Sequence, residues 1–288
     1  MMHGYIPPER FLPYLSWTEI DELEDKANTV IVLPVGAIEQ HGPHLPCAVD
    51  SVISAGVLGK ALEKLPTAVR AFGLAPITYG KSDEHLHFPG TMTLTGPTLL
   101  AVVTEIGESV YRAGFRKLLL LANGHGGQPQ VLEMAARELR LRHGDFVVVP
   151  FHVSRLPNAS GRFISETEKK LAMHAGHSET ALMMALAPHT VRMDRAVANV
   201  PPPFPSKLLS PDGRPACAWT ARDFGPSGVI GDPLGATPEQ GAEILDTLSD
   251  SWVQAITDLF QMQWVVRDAP SWGSGHQQGH VETAFQAG

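Results

Sequence analysis

The sequence contains few cysteines and no apolar run long enough to span a bilayer. Only 2 cysteines, Cys47 and Cys217, occur among 288 residues, too few for the disulfide framework of a small secreted domain. Residues 1–13 lack a basic segment followed by an apolar one, so no signal peptide is expected. The longest apolar runs, such as residues 117–122, are too short to cross a bilayer. We therefore expect free thiols, a cytoplasmic protein and no membrane partner.

Positive charge is also scarce. The chain has 22 lysines and arginines against 30 aspartates and glutamates, with no basic cluster, so a nucleic-acid partner is not expected. No Gly-x-Ser-x-Gly motif occurs, which argues against a serine-nucleophile hydrolase. Neither the P-loop nor the dinucleotide-binding fingerprint is present, which disfavours phosphate binding at the glycine-rich turn of residues 123–128.

The chain does contain an alternation of apolar strands and amphipathic helices. Strands are predicted at residues 30–34, 115–121 and 145–150, with a kinked strand within 68–79, and helices at residues 50–65, 97–113, 129–143, 174–186 and 237–260. Continuously apolar strands separated by helices predict a parallel α/β sheet. We expect one α/β domain over residues 1–265, a flexible tail at 266–288 and a proline-rich surface excursion over 189–235.

The turn after the first strand collects polar side chains. Glu39, His41, His44 and Asp50 follow that strand within twelve residues. In an extended segment Glu39 and His41 project to the same side, and a carboxylate beside an imidazole can hold a divalent metal. Two alternatives remain at this point: the turn is only a polar loop, or Asp50 only caps the helix that begins there.

Two later turns bring further ligand types. His125 lies between the strand at 115–121 and its following helix, and Glu179 lies in the first turn of the helix near His174. In a parallel sheet such turns gather at the carboxyl edge. Carboxylates and imidazoles in this mixture suit a pair of Zn²⁺ or Mn²⁺ ions, with Fe²⁺ as a further candidate, and a water bridging two such ions could attack a carbonyl carbon. The predicted ligands are Glu39, His41, Asp50, His125 and Glu179.

Taken together, a series of motifs resembles the creatininase family over residues 14–260. They are Glu39-Gln-His-Gly-Pro-His-Leu-Pro46, Asp50, Glu84-His85, Phe88-Pro-Gly-Thr91, Asn123-Gly-His-Gly-Gly127, His174-Ala-Gly176, Glu179-Thr180 and Gly231-Asp-Pro233. The resemblance implies a three-layer α/β/α sandwich with a mostly parallel central sheet. It also implies a two-metal site, hydrolysis of amide C–N bonds and assembly into a homo-oligomer, often a hexamer built as a trimer of dimers.

The resemblance also assigns roles to individual residues. Glu39, His41, Asp50 and His125 match the metal ligands of the family, with Asp50 as the bridging carboxylate, and Glu179 completes the second metal. His174 matches the histidine that carries a proton to the leaving nitrogen, a role that suits the ordinary pKa of imidazole. Glu84 is expected to act in catalysis by hydrogen-bonding a metal-bound histidine.

One departure bears on the substrate. Creatininases carry an aromatic residue and a glutamate where this chain has Gly126 and Gly127, which removes a potential ligand and a wall of the pocket. Creatinine is therefore not the expected substrate. The remaining polar residues are interpreted as structural or pocket-lining: His44 as pocket wall or loop cap, His85 and His87 as structural or substrate-facing, Ser178 as a local hydrogen-bonding group, and Cys47 as a less favoured ligand or nucleophile.

The sequence thus predicts a two-metal hydrolase that cleaves a C–N bond, other than a peptide bond, in a small molecule. A metal-bridged hydroxide would be the nucleophile and His174 the proton carrier. The alternatives are a hydrolase of a sugar-acid or lactone-type substrate on the same metal site, and a peptide-trimming or peptide-binding relative without small-molecule turnover.

Overall fold

A four-stranded parallel sheet lies at the centre of the chain. The computed structural model describes residues 2–124, 126–211 and 215–264, so the predicted tail at 266–288 lies outside the described residues. The strands are β1 (Val30–Val35), β2 (Ala71–Gly73), β3 (Lys117–Ala122) and β4 (Val147–His152), in the order β2-β1-β3-β4. All three pairings are parallel, which confirms the predicted sheet.

The strand predicted within residues 68–79 is shorter than expected. Only Ala71–Gly73 forms a ladder with β1. Pro76 has no backbone N–H to donate, and beyond it a single bridge joins Ile77 to Val35. The segment therefore leaves the sheet early and continues as a loop beside the carboxyl end of β1.

Seven α-helices occur within the described ranges: α1 (Trp17–Asp21), α2 (Val49–Lys64), α3 (Gly96–Arg112), α4 (Gln128–Arg142), α5 (Glu166–Leu171), α6 (His177–Leu186) and α7 (Pro238–Gln261). Two of these helices begin with a capping box, Ser16 with Glu19 before α1 and Thr237 with Gln240 before α7. No helix in the described part of the chain has the length and apolar character that a membrane span requires.

The sheet is covered by helices on both faces. Along β1 the side chains alternate, because successive residues of a strand point to opposite faces. Val30 and Val32 pack in one core with α2, α6 and α7, around the buried Trp252. Ile31, Leu33 and Val35 pack in a second core with α3 and α4. This arrangement confirms the three-layer α/β/α fold.

The strand order creates a crevice at the carboxyl ends of β1 and β3. From β1 the chain passes through α2 on one face to β2, then returns through α3 on the other face to β3, on the opposite side of β1. The turns after β1 and β3 therefore leave neighbouring strands, with Val35 paired to Ala122 at the edge. Such a switch point is where open α/β sheets bind ligands.

The predicted excursion over 189–235 is exposed in its middle and buried at its return. Residues 202–209 are exposed, whereas Val229 and Ile230 are buried. Asn199 pairs with Gly231 and Ile230 pairs with His174 in isolated antiparallel bridges. The end of the excursion therefore packs against the switch-point crevice.

Candidate metal centre

The loop after β1 is held in shape by contacts to two other segments. Glu39 donates its backbone N–H to the carbonyl of Cys47 at 2.9 Å, which closes the loop on itself. Ile38 pairs with Met92, and the N–H of Gln40 donates to Thr91 Oγ1 at 3.2 Å. The Phe88–Thr91 motif therefore fixes the backbone from which the side chains of Glu39 and His41 project.

Three carboxylates are buried together beside this loop. Glu39, Asp50 and Glu84 have exposed fractions of 0%, 1% and 5%. Among the described residues, no hydrogen bond of good distance and angle reaches either oxygen of Glu39 or Glu84, or Oδ2 of Asp50. Burial, reinforced by the charge of Glu84, raises the pKa of Glu39 to about 8. Burial and the neighbouring Glu39 also hold the pKa of Asp50 well above its ordinary value.

Asp50 reaches this cluster from the first turn of α2. The residue before that helix is Ala48, and no side chain caps the helix N-terminus, so capping does not account for Asp50. Its Oδ1 atom lies 3.8 Å from His41 Nε2. Asp50, His41 and Glu179 each direct a potential ligand atom to within 4.8 Å of the others.

His41 and His174 are held in tautomers that direct a lone pair at the carboxylates. His41 Nδ1 lies 3.1 Å from the carbonyl oxygen of Glu39, and His174 Nε2 lies 2.6 Å from that of Gln40. Because a carbonyl only accepts, these ring nitrogens carry the proton, and the opposite nitrogen of each ring is an acceptor. His41 Nε2 faces Asp50, and His174 Nδ1 faces Glu39 Oε1 at 3.7 Å. Two acceptors this close to carboxylates are the arrangement of a metal site.

His85 differs from His41 and His174 because it presents an N–H group, and not a lone pair, to the carboxylates. Gln40 accepts the N–H of Gly42 on Oε1 at 2.8 Å and donates from Nε2 to the carbonyl of Gly228 at 3.0 Å, which fixes its amide orientation. The same Nε2 lies 2.8 Å from His85 Nδ1, so that nitrogen accepts. His85 Nε2–H then faces Glu39 Oε1 at 3.2 Å. Burial lowers the pKa of His85 to about 4, which keeps the ring neutral. His85 is therefore a donor toward Glu39 rather than a metal ligand.

Glu179 enters the cluster through a strained turn before α6. Ala175 adopts a left-handed backbone with φ of 53°, which is costly for a residue with a Cβ and typical of functional sites. Its N–H donates to Glu179 Oε2 at 2.6 Å and so fixes the carboxylate. Burial raises the pKa of Glu179 to about 7, with the hydrogen bond from Ala175 opposing that rise.

His174 lies between two other imidazole rings. Its ring centroid is 4.1 Å from that of His41 and 4.3 Å from that of His85. The backbone of His174 pairs with Ile230 in both directions, at 3.1 and 2.9 Å. This pairing needs glycines: a Cβ at Gly231 would lie 2.9 Å from the Cα of Gly176. The Gly231-Asp-Pro motif therefore serves the placement of His174.

The structure brings together most of the predicted site residues. Glu39, His41, Asp50, Glu84, His174 and Glu179 form one cluster. His125 lies outside the described residues, so its predicted role as a ligand stays a prediction. The neighbouring Asn123 is buried and donates from Nδ2 to the carbonyl of Asp50 at 3.4 Å.

The remaining candidates lie at the margin of the cluster. His44 is buried and its Nε2 lies 3.0 Å from Thr180 Oγ1, and burial lowers its pKa to about 4. His87 is exposed. Burial, with a smaller contribution from the charge of Glu39, raises the pKa of the Cys47 thiol, which disfavours its use as a thiolate.

Two contributors were not assigned from the sequence. Gln40 sets the tautomer of His85, and its position between Glu39 and His41 was a signal that it shares their loop. Ala175 fixes Glu179 through its left-handed backbone conformation, which an alanine in the sequence does not predict.

A cavity of about 260 Å³ opens beside the cluster. His174 and Glu179 line it, and so does Ser178, for which a local hydrogen-bonding role is predicted. Asn123, His152 and Ser154 add polar groups, while Ile53, Leu182 and Leu248 add apolar surface. Through His174 and Glu179 the cluster thus borders a space that can admit a small polar molecule.

Comparison with known proteins gives consistent results. The family Creatininase, described as creatinine amidohydrolase, matches residues 13–256. The mycofactocin precursor peptide peptidase of Mycolicibacterium smegmatis is 33% identical over 217 residues, covering 75% of this chain and 79% of that protein. The creatinine amidohydrolase of Pseudomonas putida is 32% identical over 270 residues, covering 87% of this chain and 97% of that protein.

Solved creatininase structures have the same fold. A mutant creatininase in a Zn–Zn form superposes with a TM-score of 0.70 at 29% identity, covering 88% of this chain and 98% of that chain. A creatininase described with Mn superposes with a TM-score of 0.66, also at 29% identity, covering 88% of this chain and 99% of that chain.

Proposed function

The chain belongs to the creatininase family of metal-dependent amidohydrolases, and from that premise we propose that it cleaves a C–N bond of a small molecule at a two-metal centre. The observation that carries the proposal is the buried cluster itself. Buried carboxylates that accept no well-formed hydrogen bond from the described residues lie beside imidazole lone pairs at one point of the switch-point crevice. The repulsion among them is relieved by cations.

The donor set fits two divalent ions. Asp50 lies within reach of His41 and Glu179, while Glu39 lies within reach of His41 and His174. We propose Glu39, His41, Asp50, His125 and Glu179 as ligands, with Asp50 shared between the ions. Carboxylate oxygens and imidazole nitrogens in this proportion suit Zn²⁺ or Mn²⁺. When bound, such ions would polarise a carbonyl group and lower the pKa of water at the site.

His174 is the proposed proton carrier. Its Nε2–H is occupied by the carbonyl of Gln40 at 2.6 Å, so proton exchange takes place at Nδ1. The residue also forms part of the cavity wall, where a substrate nitrogen can approach it. Nδ1 would accept a proton from the attacking water and return it to the departing nitrogen, so that the hydroxyl group of the water ends on the carbonyl carbon and its proton on the amine. The bridge to Ile230 and the flanking rings of His41 and His85 hold the imidazole in place.

The size of the cavity supports a small substrate. A volume of about 260 Å³ lies near the lower end of small-molecule sites. Its lining mixes polar and charged side chains, among them Asn123, Lys169 and Ser178, with apolar ones, which suits a compact polar amide.

One observation favours a second candidate, the trimming of a peptide. A separate cavity of about 320 Å³ is lined by the proline-rich excursion, including Pro201, Phe204 and Trp219. The ring centroid of Trp219 lies 6.3 Å from that of His85, so this apolar cavity adjoins the metal centre. It could hold an apolar side chain of a peptide, and one relative is named as a precursor peptide peptidase.

A substrate screen separates these candidates. The chain loaded with Zn²⁺ or Mn²⁺ is incubated with cyclic amides, formamides, lactams, sugar lactones and short peptides, and products are identified by mass spectrometry. We expect C–N cleavage in at least one class of small amide, absent from a His174→Ala control prepared in parallel. Cleavage of peptides alone would favour the second candidate, and cleavage of lactones alone would contradict C–N hydrolysis. Self-association and a cytoplasmic location stay predictions.

A further inference from the structure

Glu84 is a buried carboxylate that the proposed ligand set does not use. It belongs to the short helical turn Asp83–His85, in the loop that follows β2. Only 5% of the residue is exposed, and within the described ranges no hydrogen bond of good distance and angle reaches either carboxylate oxygen. An ionised carboxylate buried in this way is unstable without a counter-charge.

The nearby cation is committed to other partners. Lys81 Nζ binds Asp83 Oδ2 at 2.7 Å and also donates to the carbonyl of Gly126. The neutral His85 ring directs its Nε2–H toward Glu39 at 3.2 Å, and the distance from Nε2 to Glu84 Oε1 is longer, at 3.7 Å. Lys81 is thus paired with Asp83, and His85 lies closer to Glu39 than to Glu84.

The carboxylate instead points into the metal cluster. Oxygens of Glu84 and Glu39 lie within 4.8 Å of each other, together with His85 Nε2. Two carboxylates from different loops that face each other in a buried site are a suitable arrangement for holding one divalent ion between them.

The turn after β3 is shaped to admit this carboxylate. A Cβ placed on Gly126 would lie 1.9 Å from Glu84 Oε2 and 2.7 Å from Oε1. Gly126 also has a φ of 54°, in the left-handed region that favours glycine. Because residue 126 is a glycine, the carboxylate of Glu84 can occupy the space that a side chain at this position would fill.

We propose that Glu84 is a direct ligand of the metal centre, supplying from the loop after β2 the carboxylate that the Gly126-Gly127 turn does not offer. This inference rests on the proposed two-metal site. It replaces the expectation that Glu84 only hydrogen-bonds a metal-bound histidine. The two roles differ in a measurable way, because groups that merely orient a ligand typically change metal affinity by about 10- to 100-fold.

The test measures metal binding by Glu84→Gln, which keeps the shape of the side chain and removes its charge. Zn²⁺ affinity is determined by competition with a chromogenic chelator, and bound metal is counted by elemental analysis after dialysis. We expect the variant to keep about one ion where wild type keeps about two, with affinity for the second ion lowered by more than about 100-fold. Asp83→Asn is the matched control, since Asp83 is exposed and pairs with Lys81, and it should keep both ions.

Thermal unfolding gives a readout that does not depend on activity. Removing a buried, unneutralised charge should raise the melting temperature of metal-free Glu84→Gln above that of metal-free wild type, while the rise on adding Zn²⁺ becomes smaller. Glu84→Asp, which withdraws the carboxylate by one methylene, should have intermediate affinity and provides the measurement if Glu84→Gln does not fold.

The outcomes separate this inference from the proposed function. If wild type binds no divalent ion, the metal centre itself is wrong. If wild type binds two ions and Glu84→Gln also binds two, with affinity lowered by less than about 100-fold, the centre stands and Glu84 is not a ligand.

Discussion

The acidic side chains at the two ends of the sheet differ in their hydrogen-bond partners and in the direction of their pKa shifts. At the amino end, Asp145 accepts hydrogen bonds from Tyr111 Oη and Arg116 Nε, both at 2.8 Å, and Glu108 pairs with His143 Nε2 at 2.6 Å. Burial alone would raise the pKa of Asp145, but the bonds from Tyr111 and Arg116 lower it below its ordinary value. At the carboxyl end, Glu39 and Asp50 are buried beside other carboxylates and their pKa values are raised.

The contrast distinguishes carboxylates that stabilise the fold from carboxylates that are suited to bind a cation. A carboxylate with nearby donors is satisfied by the protein itself and adds modestly to stability. An ionised carboxylate buried beside other carboxylates destabilises the metal-free protein, and that cost is relieved when the group takes up a proton or when a cation binds. The carboxyl end therefore has the character of a binding site before any ligand is considered.

The largest expected effect comes from removing the carboxylate proposed to bridge the ions. Asp50→Ala should lose both metals and all detectable turnover, because Asp50 is the ligand proposed to be shared by both ions. Asp145→Ala is the matched control at the other end of the sheet. It should keep both metals and lose about 1 kcal/mol of stability or less, since its ion pair is largely exposed. Elemental analysis and urea unfolding of the two variants make the comparison, and equal metal loss in both would contradict it.

A smaller but specific effect is expected from His174→Ala. We expect turnover of the substrate found in the screen to fall by about 10²- to 10⁴-fold, the range typical of general acid–base groups. Metal content should stay at the wild-type value, because His174 is assigned to proton transfer and not to the ligand set. Loss of metal comparable to that of Asp50→Ala would show instead that His174 is a ligand.

The smallest effect is a dependence of stability on pH that differs between the metal-free and the metal-bound protein. The folded-state pKa of Glu39 is about 8, above its ordinary value of 4.5. Between these values the folded state holds a proton that the unfolded chain releases, so the free energy of unfolding of the metal-free protein should fall as pH rises. The slope is about 1.4 kcal/mol per pH unit for one such group.

Metal binding should remove this dependence, since bound ions favour the ionised carboxylates. Urea unfolding across this pH window, with and without a chelator, measures the difference. If the free energy of unfolding of the metal-free protein does not fall as pH rises, the raised pKa values at the carboxyl end are contradicted.

Much of this fold follows from local sequence patterns. The apolar strands predicted at 30–34 and 115–121 match β1 and β3. The turns after those strands were expected to meet, because strand order in a parallel sheet brings its carboxyl ends to one edge. That rule, combined with the resemblance to the creatininase family, predicts that four candidate ligands lie together: Glu39, His41, Asp50 and Glu179.

What could not be predicted depends on contacts between distant residues. Gln40 fixes the tautomer of His85 because it also bonds Gly228, 188 positions away. The left-handed backbone of Ala175 is imposed by its surroundings, since alanine has no local preference for that conformation. The fit of Glu84 against Gly126 likewise joins loops that are separated by a helix and a strand.

The divalent-metal content of the gently purified wild-type chain tests the central claim most directly. Elemental analysis should find about two ions per chain, and adding Zn²⁺ or Mn²⁺ to chelator-treated protein should raise its melting temperature. Finding no divalent ion, together with a melting temperature that does not respond to added metal, would contradict the account of the carboxyl end as a two-metal centre.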